Sequence, residues 1–282
     1  IDFHHNALHR PTNRLTVLLL SFSMNIQHLY LLSPLHTGGT TQEGNLLGIA
    51  RESHTNFPYI PSSTIRGRLR AAVDGTKRDA LFGNDLNSDS GNLTQGSGWV
   101  GDGSLLWLPV PSLSHGVIWI SCPLLLNRYA RVANVTARPA IVPYLCNFHQ
   151  ANEKVYLKDA IFDSSELANW DKEQAKKFIP HQSNVAIERA LVLPDQHCAT
   201  VIQMGLWRQV KIKLDQHKTV DGGFRYEEAI PPDTLMYFPW GITAQAKGNE
   251  EAREHFLDLL ATNEIMQIGG QESLGRGFVE CF

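Results

Sequence analysis

Three arginines at alternating positions, Arg66, Arg68 and Arg70, follow the serine pair Ser62-Ser63. Serine at a helix start leaves backbone N–H groups that suit an anion, and arginine binds phosphate through a planar fork of donors. A helix from Ser62 to about Val73 places Ile65, Leu69 and Val73 on one apolar face and sets Arg66 and Arg70 one turn apart on a neighbouring face. Gly67 inside that helix costs about 1 kcal/mol against Ala, and close approach of a nucleic-acid backbone is one reason to keep it. An ordinary solvated face would use the same arginines. A second candidate is the run Gly269-Gly270-Gln271-Glu272-Ser273-Leu274-Gly275-Arg276-Gly277. Its backbone N–H groups, at Gly270 among others, suit phosphate contacts, and Arg276 adds charge. With no helix or acidic partner after it, a dinucleotide fingerprint does not apply, and a plain tight turn is the other reading. His36 directly follows the first apolar strand, where it serves either proton transfer or a satisfied core position.

These residues need elements to hold them. The chain has 282 residues, 43% hydrophobic and 19% charged, enough for one large domain or two small ones and against global disorder. The net charge of −3 excludes a generic polyanion binder, so any nucleic-acid function rests on local Lys/Arg patches. Cys122, Cys146, Cys198 and Cys281 lack metal-ligand or disulfide spacing and read as reduced, buried thiols of a cytoplasmic protein. No stretch reaches the roughly 18 apolar residues of a membrane span. Residues 1–23 read as a non-native or disordered extension, with Met24 as the natural start. Arg10, Arg14 and the apolar run Leu15–Leu20 imitate a signal peptide, but Ser21-Phe22-Ser23 is a poor cleavage site.

From Met24 on, strands are expected at Asn25–Leu32, Leu105–Val110, Val117–Ser121, Val185–Val192, Gly205–Leu214, Gly223–Glu228, Leu235–Trp240 and Ile265–Ile268. Helices are expected from Ser62, from Pro123 to about Val132, around Ser165–Phe178 and over Asn249–Ala261. Ser33 to Gly48 and Asn84 to Gly103 read as loops, and Asp215-Gln216-His217-Lys218 as a hairpin turn. Interspersed strands and helices with long connections fit an α+β sheet fold with insertions.

Separated segments then resemble the RAMP superfamily, specifically the repeated backbone subunit of the type III-B CRISPR effector. The first is Ser33-Pro34-Leu35-His36-Thr37-Gly38-Gly39 through Arg51-Glu52-Ser53-His54-Thr55-Asn56-Phe57-Pro58, then Ser62–Arg70. The second is Leu81-Phe82-Gly83, then Gly103–Gly116 and Cys122-Pro123. The third runs from Leu191–Asp195 through Lys218–Glu228 to Ile230–Leu235, and the glycine-rich Gly269–Gly277 follows. The resemblance implies a modified ferredoxin-like (RRM-like) palm over residues 24–282, with a loop at about 76–103, an insertion at 134–180 and a projecting β-hairpin thumb at 208–226. It implies guide crRNA, target RNA, further copies of the chain and other type III subunits as partners. Arg51, Arg66, Arg68, Arg70, Lys211, Lys213, Lys218, Gly270 and Arg276 become the expected RNA-binding residues, and His36, Tyr226, Glu227 and Glu228 lie near the cleavage site of the family.

One departure bears on chemistry. The family carries its catalytic Asp in the pattern Gly-x-x-Asp-x-Pro-x-x-Arg-Glu, whereas this chain has Gly44-Asn45-Leu46-Leu47-Gly48-Ile49-Ala50-Arg51-Glu52. The stretch is one residue shorter, with leucine where the Asp belongs, and leucine neither binds Mg²⁺ nor acts as a base. Glu43 is the nearest carboxylate and a candidate substitute. The leading expectation is therefore an RNA-binding scaffold with no tightly bound cofactor. The alternatives are a Mg²⁺-dependent target-RNA endonuclease and a stand-alone guide-processing ribonuclease using His36 without metal.

Overall fold

The computed structural model describes residues 24–43, 45–84, 94–135, 140–148, 153–180, 187–243, 245–246 and 250–282, with backbone alone at 40–43. The expected extension at 1–23 lies outside the described residues.

The main body is an 11-stranded mixed sheet. Within it the strand Asn25–Leu31 lies antiparallel to Leu235–Ile242 on one side and to Phe278–Cys281 on the other. Beyond Leu235–Ile242 come Gly103–Ser112, Gly116–Ser121 and Ala190–Val192, and beyond Phe278–Cys281 the edge strand Ile265–Gln267. Leu235–Ile242 reads as an unbroken apolar run because both of its faces are covered. Along Leu235–Trp240 successive side chains enter opposite cores. Met236, Phe238 and Trp240 pack with Leu29, Leu31, Leu69 and Phe256, and Leu235 and Tyr237 pack with Trp107, Tyr129 and Trp170. Six α-helices flank the sheets among the described residues. The α+β expectation holds, and the arrangement is compatible with a modified ferredoxin-like palm.

Several local expectations change. Ser33–Gly48 is not a loop throughout: Gly38–Glu43 and Leu46–Ile49 form an antiparallel pair. The helix Ser62–Ala71 follows Pro61 with no side-chain serine cap, and the N–H of Ser62 donates to Asp102 Oδ1 at 2.7 Å. That carboxylate occupies the place expected for a phosphate. The segment 76–103 is not a loop throughout: it includes all but the first residue of the helix Gly75–Phe82, and the strand Gly98–Val100. Asp195–Gly205, for which the sequence raised no expectation, is a helix, and the polar helix near Ser165 shrinks to Lys172–Lys176.

A second, four-stranded sheet carries the candidate site. The hairpin Trp207–Leu214 with Val220–Ala229 pairs through Tyr226 and Glu227 with Leu46 and Leu47, in parallel, and so joins the Gly38–Glu43 pair. The turn is built as expected: Asp215 Oδ1 accepts from the N–H groups of His217 and Thr219. Between Leu214↔Val220 and Ile212↔Phe224 the register shifts at Asp221-Gly222-Gly223, where Gly222 has φ +86°. Val210, Ile212, Leu214, Val220, Phe224 and Tyr226 are all exposed along this hairpin.

Candidate nucleic-acid interface

At the foot of the hairpin the strand Val220–Ala229 turns from exposed to fully buried, and Glu227 and Glu228 fall on that boundary. Neither is the solvated pair that a strand end would carry, since their side chains are 0% and 1% exposed. A buried carboxylate needs cationic and hydrogen-bonding partners, and each has them. Adjacent residues on a strand point to opposite faces, so the two gather separate sets.

Glu227 faces the glycine-rich segment. Its Oε2 accepts from Lys211 Nζ at 2.7 Å, Arg276 Nη1 at 3.0 Å and Gln271 Nε2 at 3.1 Å, and its Oε1 from Arg225 Nη2 at 3.0 Å. Burial alone would raise its pKa, but the bonds from Lys211, Gln271 and Arg276 override this and hold the carboxyl below the usual glutamate range. Arg276 is itself buried, donates to Gln271 and to Gln209 Oε1 at 2.8 Å, and lies 4.4 Å from the centre of the Trp207 ring. Glu228 faces the other way, toward Arg51 and Arg208, and Arg208 donates from Nη2 at 3.1 Å. Together Lys211, Arg225 and Arg276 on Glu227, and Arg51 and Arg208 on Glu228, set five cations against two carboxylates.

His36 is buried beside them. Its Nδ1 lies 2.7 Å from the Glu228 carbonyl oxygen, and its own carbonyl accepts from Gly270 N at 3.0 Å. That bond corrects the expectation of a loop with free donors. The N–H of Gly270 is taken by His36, that of Gly275 by Glu272 O and that of Gly277 by Pro34 O. The bonds from Gly270 and from the buried Gly277 fasten the two ends of the loop to Pro34–His36. Glycine is required where it does so. Gly269 and Gly277 hold φ of +82° and +78°, and a Cβ on Gly277 would lie 2.0 Å from the Ile268 oxygen. Arg276, at 4% exposure, is a structural cation here and not a free phosphate ligand.

The remaining expected residues divide. Lys213 and Lys218 are exposed on the outer half of the hairpin, Lys213 paired with Asp221 at 2.7 Å. Tyr226 is exposed and meets Phe224 edge-on at 5.5 Å. Arg66 and Arg70 donate to the carbonyls of Phe82 and Gly83 at the end of the helix Gly75–Phe82, so their first task is to cap it, while Arg68 is half-buried on the helix Ser62–Ala71. Glu43 ends its strand opposite Leu46, and its side chain lies outside the described residues. Arg208, Arg225, Gln209 and Gln271 were not foreseen as site residues. A signal existed for the two arginines, which sit on hairpin strands beside Lys211 and Tyr226.

The family model for the RAMP superfamily matches residues 28–280. The chain belongs to the RAMP superfamily. Among RAMP proteins it is 28% identical over 275 residues to the "CRISPR system Cmr endoribonuclease Cmr4" of Pyrococcus furiosus, covering 89% of this chain and 92% of that one. It is 22% identical over 303 residues to the "CRISPR system CMR subunit Cmr4" of Saccharolobus solfataricus, covering 92% and 94%. Among solved structures, the oligomeric Cmr4 crystal structure from Pyrococcus furiosus matches with a TM-score of 0.67 at 25% identity over 92% of this chain and 96% of that one. A chain of the type III-B Cmr-beta complex bound to cognate target RNA, seen by cryo-electron microscopy, matches in fold with a TM-score of 0.74 at 19% identity, covering 92% and 96%.

Proposed function

We propose that this RAMP chain is the repeated RNA-binding backbone subunit of a type III-B CRISPR effector, holding guide crRNA and target RNA beside further copies of itself and other type III subunits, and that it does not cut the target. The observation that carries the binding half is the exposed hairpin with four solvent-reachable cations at its foot, Lys211, Arg225, Arg51 and Arg208, in a chain whose net charge is −3. We read this hairpin as the thumb. Phosphate contacts of this kind are sequence-independent, which suits a protein that must accept any guide. No described helix is long and apolar enough to cross a membrane. We place the protein in the cytoplasm, where its four buried free cysteines stay reduced.

The non-cutting half rests on donor chemistry. A divalent ion needs open oxygen ligands. Glu227 and Glu228 already accept from cations, and Leu46 and Leu47, at the position of the family's Asp, are paired into the hairpin sheet. Residues that fit Mg²⁺ are therefore not assembled among the described ones, and no cleavage step is derived through it. The test incubates the assembled complex with labelled target RNA and Mg²⁺ or Mn²⁺. Target binding without cleavage is expected. Regularly spaced, chelator-sensitive products would refute the non-cutting reading, and failure to retain target would refute the scaffold.

A further inference from the structure

At the foot of the hairpin, on the Glu228 side, a polar cavity of about 400 Å³ opens between the Leu46–Ile49 strand, the segment after Arg51 and the helix Asp195–Gly205. Arg51, Ser53, Asn56, Gln203, Arg208 and Glu228 line it. Glu228 accepts from both guanidiniums: from Arg51 through Oε2, and from Arg208 through Oε1 at 3.1 Å and 3.2 Å. One carboxylate cannot neutralise two guanidiniums. The other acid on the wall, Glu52, is already matched by Arg128 and lies beside His54. A positive charge is left over, and it is reachable, because the side chains of Arg208 and Arg51 are 55% and 21% exposed. A guanidinium has five N–H donors, so Arg208 keeps donors for a ligand after bonding Glu228. Gln203 accepts from Arg51 and donates to the Asn56 carbonyl at 2.8 Å, so it is a second, neutral anchor for Arg51 on the same wall.

We propose that this cavity binds one phosphodiester of the RNA backbone between Arg51 and Arg208, and that Glu228 is a positioning residue that sets the two guanidiniums for it. The inference rests on the RNA-binding reading above and assigns Glu228 a role opposite to catalysis. Two physical effects of this carboxylate have opposite signs. As a charge near the phosphate it repels RNA, so removing it would tighten binding. As an anchor it fixes two long, rotamer-rich side chains before the phosphate arrives, so removing it would weaken binding. Its burial and its bonds to both guanidiniums favour the anchor.

The sign is measurable. The full chain is titrated with labelled single-stranded RNA of guide length at several salt concentrations, as wild type, Glu228→Gln, Arg208→Gln and the double variant. Arg208→Gln should flatten the plot of log affinity against log salt by about 0.7, the value of one single-strand phosphate contact. Glu228→Gln should bind roughly fivefold to tenfold more weakly, with a similar flattening, by loss of a preorganised charged contact. In the Arg208→Gln background the same change should have much less effect, because Glu228 acts through the arginines. Tighter binding by Glu228→Gln overturns the positioning role, and an unchanged slope in Arg208→Gln overturns the phosphate site. Arg208 is exposed, so that second result stands even if Glu228→Gln fails to fold. A wild-type chain with no RNA affinity would instead overturn the reading on which the inference rests. Repeating the titration with target RNA on the guide-loaded chain assigns the phosphate: a slope change seen only there places it on the target, and one seen with guide alone places it on the guide. Either result supports the site.

Discussion

Glu227→Gln separates a structural carboxylate from a catalytic one. The side chain is 0% exposed and bonds Lys211, Arg225, Gln271 and Arg276. Lys211 and Arg225 are 26% and 59% exposed, so water compensates their loss, and such pairs contribute about 0–1 kcal/mol each. Arg276 decides the magnitude, because its side chain is 5% exposed and would be left as a buried cation facing an amide. Breaking a buried pair on one side costs about 3–5 kcal/mol. At about 2–4 °C per kcal/mol for domains of roughly this size, the lower figure corresponds to a fall in Tm of roughly 6–12 °C. Calorimetry at pH 7 on wild type and variant reads this directly. The acid limb gives a second reading. The folded pKa of Glu227 lies below its ordinary value. Its contribution is therefore complete above the ordinary glutamate value of about 4.3, and fades as pH falls through the lower folded value. The variant should lack that part of the acid destabilisation. A Tm within about 2 °C of wild type at pH 7 would sink the argument, since a small shift means that Arg276 is not held by this carboxylate.

Two further outcomes follow from the structure. Burial pushes the His28 imidazole down to about 4, against the raising effect of its backbone bond to Phe282, so it stays neutral beside Tyr129 at neutral pH. Between the unfolded value of 6.5 and about 4 the unfolded chain holds the extra proton, and stability should rise with pH across that window by up to about 3 kcal/mol. Urea unfolding at several pH values, with His28→Gln losing this dependence, checks it, and an unchanged dependence refutes the assignment. Replacing Arg66 and Arg70 together with Ala should lower the unfolding free energy by roughly 0.5–2 kcal/mol per lost charged bond to a helix-end carbonyl, and the urea midpoint with it. If RNA affinity falls while the midpoint stays fixed, these arginines serve the RNA and not the helix Gly75–Phe82.

The sequence determined the elements whose signals are local. Apolar runs marked Asn25–Leu31 and Leu235–Ile242, Pro123 opened its helix, and Asp215–Lys218 formed the hairpin turn. The spaced motifs also sufficed for the family, because they carry order along the chain and need no geometry. What two residues do to each other across nearly two hundred positions was decided only by the fold. Glycines at Gly269–Gly277 predict a tight backbone approach, but not that the approach is to Pro34–His36, which takes the Gly270 donor expected to meet phosphate and that of Gly277. Ser62 reads as a cap until Asp102, forty residues away, takes its N–H. The hairpin shows the limit most clearly. Continuing the pairing from Leu214↔Val220 would set Arg208 opposite Tyr226, and the shift at Asp221-Gly222-Gly223 slides it to Glu228. A two-residue slip keeps every side chain on its face, so no alternation pattern records it. Burial of Glu227 and Glu228, and the pairing of one with Arg276 and the other with Arg51 and Arg208, arises from that slip and from the sheet beneath it.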